Sequence, residues 1–544
     1  MALARPSDPY PDQSWSGWGD PARVPVLPEG VQTLLAQGLG VRASASSPGS
    51  TPSFPLPARR LVAEAAAQLA GIVGTGNALG DDQTRIRHTR GKSTTDLLRL
   101  RAGDAADAPD LVLLPGSHEE VLDVLRVCTE RRIAVVPFGG GTSVVGGLEP
   151  RAEGFEGVVA LDLRRMNALL ELDEVSRLAV LEPGLRGPQA ERLLGDHGYT
   201  IGHFPQSFDY ATLGGFAAAR SSGQASAGYG RFDELVVALR LATPQGTLSA
   251  GRAPKSAAGP DLRQLLLGSE GALGVITSLT VQVRSLPEQR VYEGWRLPSF
   301  AEGIIAARKL AQDGPLPTVL RVSDEAETAL NLARPAELGS GGDGCLAITG
   351  YEGTAEEVGD RRARATRMLE QAGGSYEPGA GEAWQRDRYR GPYLRDALLD
   401  AGALVETLET VTFWSLLPTV YEAVSGALHE SLTAQGTPPV VLCHVSHVYP
   451  AGASLYFTVC CAQAEDPVSQ WRAAKAAASD AILSSGGSIT HHHGIGTDHR
   501  DWYEREVGEL AIRAIRAVKA QFDPAGILNP GVLIPPGVSN GGTR

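Results

Sequence analysis

The chain has 544 residues, of which 42% are apolar and 20% charged, the balance of an ordinary globular protein with room for a large core. At roughly 150 residues per domain, this length suits three or four domains or two large interleaved ones. Acidic groups outnumber basic ones by 62 to 49, and the net charge of −13 argues against nucleic acid as a partner, a role that needs a basic surface.

Residues 1–60 are rich in Pro, Ser and Gly and carry Trp15, Trp18 and Phe54, which predicts an arm tacked onto the body by its aromatic side chains. A helix is expected over Leu61–Val73. From Pro109 short apolar runs alternate with amphipathic segments. Leu111–Leu114 reads as a buried strand, and Ser117 with Glu120 three residues on starts a helix through Arg131. Ile133–Phe138, Val158–Leu163, Leu178–Glu182, Leu235–Thr243 and Val275–Arg284 continue the strand series. A boundary is expected near Leu286–Arg290. Beyond it, Val291–Leu297, Cys345–Tyr351, Val440–Tyr449 and Leu455–Cys460 read as strands. Ala301–Asp313, Thr354–Ala372 and Ala473–Ser484 read as helices, with a last helix ending near Phe522.

Cys128, Cys345, Cys443, Cys460 and Cys461 form no CxxC pair, and the vicinal two would point to opposite faces of a strand. Reduced thiols, the absence of an apolar run near the ~18 residues of a membrane span, and an N-terminus without a signal-peptide core predict a cytoplasmic protein. The C-terminal Gly-Gly-Thr-Arg is no peroxisomal tripeptide. Only Lys92, Lys255, Lys309, Lys475 and Lys519 are lysines, so an anionic ligand would mostly meet guanidiniums.

Three glycine constellations carry the first chemical signal. Pro137, Phe138, Gly139, Gly140, Gly141, Thr142 and Ser143 follow a Val-rich strand, where glycines allow positive φ and close backbone approach, so that successive N–H groups can form an anion nest. The run is neither GxGxxG, since position 144 is Val, nor a P-loop, since Gly91-Lys92-Ser93 lacks its upstream glycine. The second constellation, Gly202–Gly230, mixes glycines with hydroxyls and embeds Phe204, Phe208 and Phe216. The third, Gly268–Ile276, is a glycine turn entering a strand.

In this order and spacing the three resemble the FAD-binding domain of the vanillyl-alcohol oxidase/p-cresol methylhydroxylase superfamily. The resemblance implies an α+β fold: a PCMH-type FAD-binding domain of two α+β subdomains, plus an α+β cap. It implies an arm and helical segment over 1–104, the FAD domain over 105–287, the cap over 288–484, and a C-terminal segment over 485–544 that packs back on the FAD domain. It places Pro137–Ser143 at the pyrophosphate. Along the rest of the cofactor it places His203, Gln206, Ser207, Thr212, Gly214, Gly215, Ala219, Arg220, Ser221, Ser222, Glu270, Gly271, Gly274, Val275 and Ile276. Because the first loop holds no histidine, FAD is expected to be noncovalent.

The remaining residues narrow the choice. His491, His492 and His493 precede Gly-Ile-Gly. Three consecutive histidines cannot share one face of a strand or helix, so no metal is expected there; the run is either a structural cluster or, as expected, a proton-transfer group. Tyr456 is either a buried strand tyrosine or a phenol beside the flavin. Arg321 and Arg395 are either ordinary ion-pair partners or clamps for an oxyanion or phosphate. Together with Trp15-Ser16-Gly17-Trp18-Gly19 and Asp523–Pro530, this set is similar to the alkyldihydroxyacetonephosphate synthase family. The resemblance makes Tyr456, His492 and His493 catalytic, with His491 beside them, and Arg395, Arg321 and Thr407 substrate-binding. It implies exchange of the acyl group of acyl-dihydroxyacetone phosphate for a fatty alcohol, through a flavin N5 adduct and with no net redox change. The implied partner is a small-molecule or lipid substrate, with a peripheral membrane contact through the cap and a homodimer as further expectations.

This chain departs from the family pattern at His444 and His447, which stand for Arg and Gln, and at Thr407, which stands for Ser. The alternative is an FAD-linked 2-hydroxyacid oxidase or dehydrogenase, similar to D-lactate dehydrogenases and the glycolate oxidase D subunit. In those enzymes a Glu-His-Gly-Ile-Gly run helps to hold a divalent metal. Here the carboxylate position is His492 and no Gly-Asp-Gly-Asn segment is present, which favours exchange without an electron acceptor and without sensitivity to chelators.

Overall fold

The computed structural model describes residues 2–8, 11–42, 52, 54–149, 151–330 and 342–535. Part of the predicted arm and the C-terminal tetrapeptide lie outside them. The amino-terminal block holds two sheets. In the first, Leu111–Leu113, Gly157–Asp162 and Ile133–Phe138 run parallel, with Ala78–Leu79 antiparallel at one edge. Its strands are nearly continuous apolar runs, as expected where helices cover a parallel sheet. His118–Arg131 is one such helix; the Ser117 hydroxyl accepts from the Glu120 N–H, and Val121, Val124, Leu125 and Cys128 are buried. The second sheet is antiparallel, in the order Leu169–Asp173, Leu178–Leu181, Val275–Gln282, Val236–Thr243, Gly246–Ala250. The strand expected to run to Arg284 stops at Gln282, and Arg284–Ser285 pairs with Tyr199–Thr200 instead.

The cap is one seven-stranded antiparallel sheet: Ser375–Glu377, Gln289–Leu297, Cys345–Gly353, Val319–Ser323, Val440–Val448, Gly452–Ala462, Ala403–Phe413. Along Gly452–Ala462, Leu455, Phe457, Val459 and Cys461 are fully buried in the core that includes Leu417–Ala434 and Pro467–Ser484. Each such burial stabilises by ~1.5–3 kcal/mol. The alternate residues Tyr456, Thr458 and Cys460 face a cavity instead. Cys460 and Cys461 thus point to opposite faces, and all five cysteines are free.

The C-terminal segment returns to the amino-terminal block. Leu528 bridges Val135 in parallel, and the Asn529 amide donates to the carbonyls of Gly147 (3.0 Å) and Glu270 (2.7 Å).

Candidate active site

A cavity of about 1000 Å³ separates the two blocks. One wall is main chain. Pro137–Ser143, Gln206, Ser207, Thr212, Gly214, Gly215, Ala219, Ser221, Glu270, Gly271, Gly274, Val275 and Ile276 all line it. The Thr212 side chain caps the helix Leu213–Ala219 by accepting from the Gly215 N–H. Positive φ occurs at Gly141 (68°) and not at Gly140, which is held for another reason: an added Cβ would overlap the Tyr210 carbonyl oxygen.

Four predicted residues stand back from the cavity. His203 is buried behind Ser221 at 3.1 Å, packed on Phe216 and Phe232. Arg220 donates to the carbonyls of Leu267 and Gln264 and so braces the third glycine turn. The hydroxyl of Ser222 meets His447 at 3.1 Å, and His491 sits behind His492.

The other wall is written in strand register. Residues paired directly across an antiparallel ladder share a face. Three strands therefore give four rows toward the cavity: Val405–Cys460–Val440, Thr407–Thr458–Leu442, Glu409–Tyr456–His444 and Val411–Ser454–His447. At 3.4 Å per residue these rows span roughly 20 Å. The fourth exists because the ladder slips between Val445 and His447, inserting Ser446 as a bulge. Three residues apart in sequence, His444 and His447 would otherwise face opposite ways. The rows pass from apolar to polar. Val405 packs with Val31, Leu35, Leu394 and Leu398, and Cys460 lies against them. Tyr456 stacks on His444 at 5.0 Å between ring centres, with His492 at 6.2 Å and His493 edge-on at 5.7 Å.

Two carboxylates, buried Glu409 and half-buried Glu270, hold the histidine run. Glu409 accepts the backbone N–H groups of His491 (2.6 Å), His492 (3.1 Å) and His493 (2.9 Å) and the Thr490 hydroxyl (2.6 Å). Glu270 accepts those of Ile495 (2.5 Å) and Gly496 (2.7 Å). Burial would raise the Glu409 carboxyl, but the His492, His493 and His491 side chains and the Thr490 hydroxyl outweigh it and hold it well below the usual carboxylate range. Burial lowers His492 and His444, and takes His493 down to about 3, so these imidazoles are neutral at pH 7. With the imidazoles neutral, the hydrogen-bond donors carry that load on Glu409. Burial likewise pushes the Tyr456 phenol up to about 12, against the Thr407 hydroxyl, so it is a proton donor at rest.

Both predicted arginines line the cavity. Arg321 donates to Glu327 (2.7 Å) and contacts His444 Nε2 at 3.1 Å. Arg395 donates to Asp396 and the Lys92 carbonyl, leaving a hydrogen on each terminal nitrogen for a ligand. Sequence reasoning missed Glu409, Glu327 and Arg388. The last lines the cavity and lies over Phe204, Trp384 and Tyr389. Among the described residues, cavity-lining side chains with a buried atom lacking a hydrogen-bond partner include Arg321 (Nε), Arg388 (Nη1), Gln206 (Nε2), Gln224 (Oε1), Glu327 (Oε2) and Asp387 (Oδ1). Orphaned donors and acceptors on and across from a glycine-lined wall fit a large polar cofactor such as FAD.

Two family models match: "FAD binding domain" over residues 109–250 and "FAD linked oxidases, C-terminal domain" over 286–533. The alkyldihydroxyacetonephosphate synthases of Dictyostelium discoideum and Trypanosoma brucei brucei are 35% and 34% identical, each over 84% of this chain and 78% of their own. A solved alkyldihydroxyacetonephosphate synthase superposes with a TM-score of 0.79 at 29% identity, covering 97% of this chain and all of its own. Mitochondrial D-lactate dehydrogenase of Arabidopsis thaliana is 29% identical over 80% of this chain and 75% of its own. p-Cresol methylhydroxylase shares the fold at a TM-score of 0.67 and 16% identity, covering 87% of this chain and 96% of its own.

Proposed function

From the premise that this chain belongs to the alkyldihydroxyacetonephosphate synthase family, we propose that it exchanges the acyl group of acyl-dihydroxyacetone phosphate for a fatty alcohol, with FAD held noncovalently. The observation that carries this reading is the graded cap face. Its apolar rows suit a hydrocarbon chain, and its polar rows, with the arginines, suit a phosphorylated head.

When bound, FAD supplies the ring that forms and breaks a bond at the substrate carbon. The Gly139–Gly141 backbone and Thr142 and Ser143 would hold its diphosphate, while Thr212, Gln206 and Ser207 would lie along the rest. Arg321, Arg395 and Arg388 provide forked donors for the substrate phosphate. The neutral His492 and His493 are placed to take a proton from the substrate carbon or the incoming alcohol. The protonated Tyr456 phenol is placed to give one to the departing carboxylate. Glu409 and Glu327 position these groups through the histidine run and through Arg321 with His444.

The five free cysteines support a cytosolic setting. No helix among the described residues is long and apolar enough to cross a membrane. The helix Glu29–Gly38 borders the apolar end of the cavity with Leu34 half-exposed, which supports lipid entry at a membrane surface.

Purified enzyme given acyl-dihydroxyacetone phosphate and a long-chain alcohol should release fatty acid and form the alkyl product without an electron acceptor. Rapid bleaching by D-lactate or glycolate with dye reduction, and no exchange, would replace this reading with the hydroxyacid one.

A further inference from the structure

We propose that His447, His491 and His492 form a binding site for a divalent transition-metal ion of the zinc class. One ring nitrogen from each lies within 4.8 Å of the other two, and the Nδ1 atoms of His491 and His492 are 3.0 Å apart. Two nitrogens on a tetrahedral zinc sit ~3.3 Å apart for bonds of about 2.0–2.1 Å. His491 and His492 already stand near that spacing, and His447, up to 4.8 Å away and stacked on His491, must rotate about its side-chain bonds to bring its nitrogen to the ion.

The expectation of no metal rested on three consecutive histidines sharing a regular element. Residues 491–493 form neither helix nor strand, and the third ligand comes from elsewhere. The bulge at Ser446 turns His447 toward the run, bringing its ring within 4.8 Å of His491 and 5.2 Å of His492. Two of the three outward nitrogens are already engaged, as metal-ligating histidines require for a fixed tautomer and orientation. His447 Nδ1 meets the hydroxyls of Ser222 (3.1 Å) and Ser226 (2.8 Å), and His491 Nε2 meets the Tyr449 hydroxyl at 2.6 Å.

A buried dication needs compensating charge. Glu409 supplies one negative charge, with Oε2 3.7 Å from His492 Nδ1, against the Arg231 guanidinium that also faces the three rings. Three imidazoles favour zinc and its transition-metal neighbours over magnesium or calcium. His492 also lines the cavity, so an open position on the ion would face it. With the ion bound, His492 gives up the proton-accepting role assigned to it above, and proton transfer falls to Tyr456 and His493. The site stands on its own geometry and not on the exchange reading, so binding is measured apart from turnover.

FAD-loaded protein is stripped with a chelator, dialysed against zinc chloride, and its zinc and flavin are counted per chain. We expect one zinc, undiminished by millimolar magnesium. His447→Gln should weaken it at least tenfold with flavin content unchanged, while the exposed pair His197→Gln/His429→Gln should leave it intact. Cobalt substitution of the unmodified protein provides a second measurement that does not depend on any variant folding: visible bands of low-symmetry nitrogen-ligated cobalt beyond the flavin envelope. Zinc retention equal in the parent and H447Q, zinc lost in the surface pair, or cobalt in the protein with the spectrum of the aquo ion would each overturn the proposal. In that case the 3.0 Å contact is a hydrogen bond between imidazoles.

Discussion

The two walls of the cavity are built by different means. The amino-terminal wall is backbone, made of turns contiguous in sequence, each needing small residues so that main chain can approach a ligand. The cap wall is side chains, brought together by register across strands that are distant in sequence. A change in the first wall should act on cofactor retention, and a change in the second on turnover or substrate choice with the cofactor still bound.

Gly140→Val should abolish activity by emptying the enzyme of FAD. The added side chain cannot coexist with the Tyr210 carbonyl oxygen, so the loop must move away from the Ala211–Thr212 turn that it faces. Flavin released by acid precipitation, set against protein concentration, measures the loss. Retention at the parent level would make the loop only a turn and remove the distinction between the walls.

Tyr456→Phe should lower turnover by roughly 10²-fold or more, the usual scale for a lost acid/base group. The ring still stacks on His444, so flavin content and melting temperature should hold. Near-normal activity would make Tyr456 a packing residue.

Glu409→Gln lies between the walls in effect. The amide keeps the shape but offers one acceptor oxygen where the carboxylate uses two, on three backbone N–H groups and the Thr490 hydroxyl. Leaving a buried donor unsatisfied costs ~1–3 kcal/mol. We expect a lower melting temperature and about a tenfold fall in kcat, with little change in KM and flavin retained. A change confined to KM would mean that Glu409 touches substrate directly.

This division also explains what could be read early. Pro137–Ser143 and Gly268–Ile276 announce themselves because a backbone-made site leaves its glycines side by side. Most main strands and helices were legible from periodicity, since Leu111–Leu113 and Ile133–Phe138 are unbroken apolar runs. The strand Ala403–Phe413 was not. Both its faces are buried, one against helices and one on the cavity, so Glu406 and Glu409 interrupt the pattern with no alternation to mark them as inward. With that strand unseen, the carboxylate that orders the histidine run had no address. His447 was hidden by the bulge, because a three-residue spacing on a flat strand places it away from His444. Register and bulges are properties of pairing, which one strand's sequence does not contain.

The smallest effect should come at the apolar end, where the walls divide chain length from chemistry. Cys460 faces the cavity in the row with Val405 and Val440, two rows from Tyr456, which the histidine run contacts. Cys460→Phe fills space there without touching Tyr456, the arginines or the glycine loops. If the added ring displaces about two methylene groups of a bound chain, the loss is ~1.6 kcal/mol at ~0.8 kcal/mol each, or roughly tenfold in affinity. KM for a long-chain alcohol should therefore rise about tenfold, while a short-chain alcohol that stops before this row keeps its KM and kcat. Equal losses for both alcohols would mean that the chain runs elsewhere, and the gradient along the cap face would then record packing and not substrate.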